Sequence, residues 1–356
     1  MIPPQSGGGA RDELRRAFLA EHCRGWREVG ELRQDASARR YFCLRRDEER
    51  ALLMDAPPGE NENAGAFVAV TGHLQRIGAR VPEVYAADIK NGFLFLEDLG
   101  ERTFSRLFNN DHENAPGETA LYRLAVGALT DIRGRARAEE INLPAYDAEA
   151  AWDESRLFTD WYLPARMQKP FPKDAAESFR QIWREMLGAL PPLAPTLVLR
   201  DFHIDNLILA GEKCALLDYQ DALLGSPAYD LASLLEDARR DIAPELADEM
   251  MNLYFAQSPG GEGESENARR DFHRHYIVWA AQRHCKIAGI FTRLWLRDGK
   301  DAYLRHLPRV LRLLRRHLHK PPLAPLREWL AAHLGEVAHA DFAATRENLL
   351  RHCAAR

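Results

Sequence analysis

Between residues 25 and 98 the apolar positions come in short runs. "EVGEL", "SARRYFCLRR", "RALLMDAP", "EVYAAD" and "GFLFLEDL" carry β-branched or aromatic residues and are separated by turn formers, so each predicts a strand. The charged "RRDEER" (45–50) sits where a hairpin turn belongs. Between the third and fourth runs, Ala66, Phe67, Val70, Leu74 and Ile77 recur at helical spacing. The order strand, strand, strand, helix, strand, strand describes a small sheet with one helix packed on it.

After Gly100 the period changes. Apolar stripes predict helices over 117–138, 147–163, 172–190, 230–256, 267–297 and 300–318, with two shorter segments from 323 to the end. "NNDHENAPGE" (109–118), "LPPLAP" (190–195) and "QSPGGEGESEN" (257–267) predict loops. Strand character interrupts the helices only in "LVLRDFHIDNLILAGEKCALLDYQD" (197–221). The shift near 98–101 divides the chain into a loose tail (1–10), a strand-rich lobe (11–98) and a helical lobe (99–356).

Composition narrows the partners. A length of 356 residues allows two domains, or one with two lobes. No run of 18 apolar residues occurs, so no membrane span is expected. The N-terminal "MIPPQSGGGARDEL" lacks the basic-then-apolar order of a signal peptide. Cys23, Cys43, Cys214, Cys285 and Cys353 lie far apart, which suits reduced thiols in a cytoplasmic protein rather than a disulfide frame or zinc site. A net charge of −5 gives no electrostatic reason to expect nucleic acid. The basic residues of "LPRVLRLLRRHLHK" alternate with leucines at helical spacing, as on a solvated helix face.

G-x-G-x-x-G after a strand, G-x-x-x-x-G-K, HExxH and GxSxG are all absent. What stands out is Asp201-Phe-His-Ile-Asp-Asn206, preceded by Arg200 and followed twelve residues later by Asp218. Phosphoryl transfer needs an oxygen base at the acceptor hydroxyl and hard oxygen ligands for Mg2+. Asp201 suits the first role. Asn206 and Asp218 suit the second if strands 207–209 and 215–218 pair as a hairpin through "AGEK" (210–213). All three border apolar strands that would otherwise reject polar groups.

"LRDFHIDNL…LLDYQD" resembles the catalytic and metal-binding loops of the protein-kinase-like fold, in its small-molecule branch with the aminoglycoside phosphotransferases. With "QDASARRYF", "LLMDAPP", "GFLFLEDLG", "GSPAYDLASLLED" and "RHCKIAGIFTRLWLRDGK", the chain is most similar to the bacterial kinases that phosphorylate N-acetylmuramate and N-acetylglucosamine at the anomeric hydroxyl in cell-wall recycling. The resemblance implies an α+β, bilobal fold and an ATP- and Mg2+-dependent sugar kinase. It makes Asp201 the catalytic base and Asn206 and Asp218 the metal ligands. "QDASARRYF" (34–42), with Ser37, becomes the hairpin over the phosphates. Glu97 to Gly100, including Leu99, becomes the hinge whose backbone reads adenine. Asp230 falls where an aspartate braces the catalytic loop, although a helix N-cap would also explain it. His203 is close enough to the base to touch an acceptor hydroxyl, or else supports the loop.

Two departures matter. The strand lysine of kinases is replaced by Met54, no lysine precedes Lys90, and the helix around 64–78 has no glutamate. Arg39 and Arg40 are candidates to replace it, since a guanidinium fork suits phosphate; exposed strand arginines would look the same. A nucleotide-binding pseudokinase is one alternative. A kinase for an aminoglycoside, choline or a homoserine-like acceptor is another. The second departure is that only Tyr219 to Tyr229 separate Asp218 from Asp230, too little for a peptide platform. The acceptor is therefore expected to be a small molecule. Gln282, Lys286 and Arg293, with Arg283 and His284 alongside, form a polar stripe that would bind an anionic sugar or simply face solvent. Asp160, Trp161 and Tyr162 would stack on a sugar ring or belong to the core.

Overall fold

The computed structural model describes residues 8–32, 39–59, 63–109, 116–136, 140–259, 265–334, 342 and 344–353. The chain divides into two compact units: Met1–Ala136 with Ile204–Ala222, and Arg137–His203 with Leu223–Arg356.

The first unit opens with α1 (Gly8–His22), which begins inside the segment expected to be a tail. The strands β1 (Arg27–Glu31), β2 (Arg40–Arg46), β3 (Glu49–Asp55), β4 (Val84–Asp88) and β5 (Phe93–Glu97) form an antiparallel sheet of order β1-β2-β3-β5-β4. The turn in "RRDEER" falls where the charge pattern placed it, with Asp47 at φ 51°. α2 (Ala64–Arg76) lies between β3 and β4, capped by the Asn63 side chain, which accepts the Ala66 N–H at 3.0 Å. One face of the sheet buries Phe42, Leu44, Leu53 and Phe95 against Phe18 of α1. α3 (Phe104–Asn109) and α4 (Glu118–Arg135) follow.

The second unit holds α5 (Ala148–Leu157), a π-turn over Phe158–Tyr162, α6 (Leu163–Met167) and α7 (Lys173–Gly188). The strand β6 (Thr196–Val198) leads into the motif. The chain then leaves for β7 (Leu207–Ala210) and β8 (Lys213–Leu216) of the first unit, and returns with β9 (Leu223–Gly225), the antiparallel partner of β6. One helix predicted over 230–256 is two, α8 (Ala228–Leu235) and α9 (Pro244–Gln257). Pro244 cannot donate to an ongoing helix and instead starts the second one. α10 (Glu266–Asp298), α11 (Leu307–Leu318), α12 (Ala324–His333) and α13 (Arg346–Leu350) complete the unit, with a 3-10 turn over Asp301–His306 where a continuous helix was expected. The 33-residue α10 is its central rod, packed among Phe158, Trp183, Leu311 and Leu326.

α10 and the end of α5 touch backbone to side. A Cβ built on Gly289 would lie 2.3 Å from the Leu157 carbonyl carbon. Gly289→Ala should therefore cost about 1–3 kcal/mol, as overpacking does, read as a lowered midpoint in thermal denaturation. The candidate sugar-stacking trio follows this crossing. Trp161 and Tyr162 are buried in the core, and Asp160 pairs with Arg156 at 3.4 Å, so the plainer reading of that trio holds.

Candidate active site

In the first unit, the β7–β8 hairpin pairs Leu207 with Leu216 and Ala210 with Lys213, turning through Gly211 at φ 62°. Its outer edges are tied down: Leu209 N–H donates to the Arg102 carbonyl at 2.9 Å, and Leu216 N–H to the Arg80 carbonyl at 2.9 Å. The Asn206 carbonyl accepts the Leu217 N–H at 2.9 Å, which sets Asn206 beside the residue before Asp218. The hairpin thus brings the two predicted metal ligands together. Asp218 takes the left-handed conformation (φ 58°), unusual for a residue other than glycine, and its side chain stays 41% exposed. The next residue is locked: Tyr219 stacks on Phe67 of α2 at 5.4 Å, and its hydroxyl meets Thr71 Oγ1 at 2.8 Å.

The structure separates the two arginines. Arg39 Nη2 donates to Asp218 Oδ1 at 2.9 Å, and Gln220 Nε2 donates to the same oxygen at 3.1 Å. Arg40 instead forms a two-pronged pair with Glu31 of the edge strand β1, both contacts 2.8 Å. Met54 is buried in β3, paired with Tyr41 and Leu94, at the position where a lysine is usual. Glu97 closes β5, its carboxylate held by the Arg80 guanidinium and its N–H bonded to the Glu83 carbonyl at 2.9 Å. The Arg80 hydrogen bonds hold the Glu97 carboxyl below its ordinary range. Leu99 is half-buried two residues on, and Ser37 lies outside the described residues.

Asp201 and His203 belong to the second unit. Asp230 lies in the first turn of α8, after the N-cap Pro227, so the N-cap reading does not hold. Its buried carboxylate instead accepts the Leu199 N–H at 2.6 Å and the Arg200 N–H at 3.0 Å. Burial pushes its acidity to a pKa of about 7, against the pull of those two bonds. Arg200 has φ 72°, and its carbonyl accepts from Arg283 Nη1 at 2.7 Å. The predicted substrate residue Arg283 is therefore buried and engaged with the loop backbone. Burial alone would raise the pKa of Asp201, but the positive charges of Lys286, Arg283, Arg200 and Arg239 outweigh it and hold the carboxyl below its ordinary range. His203 is buried, and its N–H donates to the Asp201 carbonyl at 3.1 Å. Burial first, then the positive charges of Arg239, Arg283 and Lys286, push its ring pKa well below the ordinary value.

The polar stripe on α10 is not a solvated face. Gln282, Arg283, His284 and Lys286 are all buried, and Arg293 is half-buried. Lys286 Nζ meets Glu154 Oε1 at 2.9 Å, and Gln282 Nε2 donates to the Ala151 carbonyl at 2.9 Å. Sequence reasoning missed Glu154 entirely. In "AWDESRLF" it reads as one more polar residue of an amphipathic helix, and its partners lie 46 and 132 residues away.

A five-stranded antiparallel sheet in one unit and a helical second unit built on α10 make up an α+β fold of the kinase-like class. Residues 28–267 match the Phosphotransferase enzyme family, and the chain belongs to that family. It is similar to the N-acetylmuramate/N-acetylglucosamine kinase of Pseudomonas aeruginosa, 34% identical over 321 residues that cover 88% of this chain and 92% of that one. The kinase of the same name from Neisseria meningitidis serogroup B is 35% identical over 309 residues, covering 85% and 89%. Among solved structures, an ADP-bound aminoglycoside phosphotransferase superposes with a TM-score of 0.54 at 15% identity, covering 86% of this chain and 98% of that one, which establishes the shared fold. Among the described residues no helix is long and apolar enough to cross a membrane.

Proposed function

We propose that the protein is an ATP- and Mg2+-dependent cytoplasmic kinase that phosphorylates the anomeric hydroxyl of N-acetylmuramate or N-acetylglucosamine, amino sugars of cell-wall recycling. The observation that carries this reading is the near full-length likeness to kinases bearing that name. The nucleotide is assigned to the lobe of residues 11–98 and the acceptor to 99–356.

In this reading Asp201 accepts a hydrogen bond from the acceptor hydroxyl. The new bond forms between that oxygen and the γ-phosphorus, the bond to the β–γ bridging oxygen breaks, and the hydroxyl proton passes to Asp201. With its pKa held low, Asp201 is ionised at neutral pH and a weak base. Its work is chiefly orientation, with the proton arriving late, as a loose phosphoryl-transfer transition state allows. Asp230 and Arg283 fix the loop from which Asp201 projects.

Among the described residues no group of three or more His, Cys, Asp or Glu side chains converges on a metal site. One amide and one carboxylate still fit Mg2+, which prefers hard oxygens and takes much of its coordination from phosphates and water. Asn206 and the exposed carboxylate of Asp218 would hold it, and when bound it neutralises phosphate charge. Arg39, already at Asp218, is the cation assigned to the role of the missing strand lysine. Arg39→Ala should raise the KM for ATP about tenfold or more. Arg40→Ala, which breaks the pair with Glu31 and a stacking contact on Phe42, should change it less than about twofold. Steady-state kinetics at varied ATP would separate them.

Phosphorus NMR of the products from ATP, Mg2+ and each sugar tests the whole reading. An anomeric phosphate supports it, and a 6-phosphate overturns the position of attack. No product across a broad acceptor panel would favour the second reading, a nucleotide-binding regulator, for which Met54 in the lysine position is the one favouring observation.

A further inference from the structure

One buried carboxylate in the second unit takes no part in the mechanism above. Glu154, on α5, has a side chain 12% exposed. Its Oε1 accepts from the Arg200 guanidinium and from Lys286 Nζ, and its Oε2 accepts from the Tyr146 hydroxyl and from Gln282 Nε2 at 3.4 Å. Burial would raise its pKa, yet Lys286 and Arg200 together bring it down to about 2, so it is a full negative charge.

Arg200 is the residue that links this network to the site. A left-handed conformation is unfavourable for a residue that carries a side chain, so something outside the residue must hold it there. Three groups do so, each on a different part. Asp230 takes the N–H, Arg283 donates to the carbonyl, and Glu154 grips the guanidinium. The peptide that leaves Arg200 sets the direction in which Asp201 projects. Arg200 and Lys286 are also two of the cations that depress the Asp201 carboxyl. Glu154 sets a negative charge against both, and its loss would leave their pull on Asp201 stronger.

We propose that Glu154 is a positioning residue for the transfer step: by holding Arg200, and by balancing Arg200 and Lys286, it keeps the strained turn that aims Asp201 at the acceptor hydroxyl. This rests on the reading of Asp201 as the group that orients that hydroxyl.

The test compares E154Q, R200G and their combination in the full chain, with D201A in parallel and thermal melts to confirm folding. A misaimed group about 1 Å out of place can cost about 10²-fold, so E154Q should lower kcat by about that factor. The KM values for ATP and sugar should stay within about threefold, the signature of an interaction that matters in the transition state. R200G should lose a comparable factor although glycine adopts the left-handed turn freely, because the grip is gone. In the R200G background, E154Q should then cost less than about threefold more, since both changes remove one linkage. Should E154Q fail to fold, R200G alone still decides. An R200G enzyme with unaltered kcat overturns the inference, as does an E154Q effect confined to KM or undiminished in the R200G background. If D201A retains turnover, the reading beneath it falls and the inference falls with it. If D201A is inactive while E154Q has normal kcat, only the inference falls.

Discussion

Replacing Asp201 by alanine should lower kcat by roughly 10²–10⁴-fold, the range a positioned general base contributes. KM for ATP should change little, because the residues assigned to the nucleotide and metal are Arg39, Asn206 and Asp218. The fold should persist. The loop around Asp201 is held through backbone groups of its neighbours, with Asp230 taking the N–H groups of Leu199 and Arg200 and Arg283 donating to the Arg200 carbonyl. Removing the carboxylate breaks none of those bonds. Single-turnover kinetics with a melting curve would check both halves. Lost turnover with an unshifted melt supports a chemical role, whereas a fall in activity matched by a fall in stability would contradict it.

The largest stability effect is expected at the C-terminal end of α8. Glu236 ends α8 and is 3% exposed, yet it carries a carboxylate. His317 Nε2 donates to both of its oxygens at 2.7 and 2.8 Å, Tyr276 donates at 3.0 Å, and His284 and Arg316 lie at 3.3 and 3.2 Å. One side chain thus ties α8 to α10 and α11. Removing one member of a buried charged group costs about 3–5 kcal/mol, because the partners are stranded. Glu236→Ala should show that loss in urea denaturation. The pH dependence has a defined sign. Burial would raise the Glu236 pKa, but the His317 hydrogen bond and the neighbouring cations bring it well below its ordinary 4.5. Stability from this group is therefore full above pH 4.5 and drains away as pH falls below it. Burial also drives His284 well below 6.5, so the unfolded chain takes up a proton there that the folded one refuses. Both terms act in one direction: the melting temperature should fall as pH drops below 6.5, faster below 4.5. Glu236→Ala should flatten the lower part of that curve.

Local signals in the sequence were strong where a structure is made by neighbours. Short runs of β-branched and aromatic residues between turn formers placed the five strands along the chain with near-correct limits, and the helical repeat from Ala66 to Ile77 marked α2. "AGEK" marked a hairpin turn by its length, and in the structure Gly211 takes the left-handed step. Signals failed where distant residues decide. Asp230 looks like a cap until the loop it bonds, 30 and 31 residues earlier in the chain, is in view. The α10 stripe looks solvated because burial of Gln282 and Lys286 depends on Ala151 and Glu154, more than a hundred residues earlier. Arg39 and Arg40 are adjacent and chemically identical, and only the register of β2 against β1 gives Arg40 to Glu31 and leaves Arg39 for Asp218. No property of the two letters could have told them apart.

The hairpin that carries Asn206 and Asp218 has one more consequence. Its ladder is four residue pairs closed by a two-residue turn, which sets Asn206 opposite Leu217; Asp218 follows one step past that register, so the gap between the two groups is twelve. Each added rung lengthens the gap by a residue on either strand. An odd insertion would slip one strand against the other and send alternate side chains to the opposite face. A version of this hairpin of another length keeps the amide and the carboxylate side by side only if it grows or shrinks in pairs, or absorbs the extra residue in a bulge. The spacing of a sequence motif is, here, a parity rule imposed by the pleat.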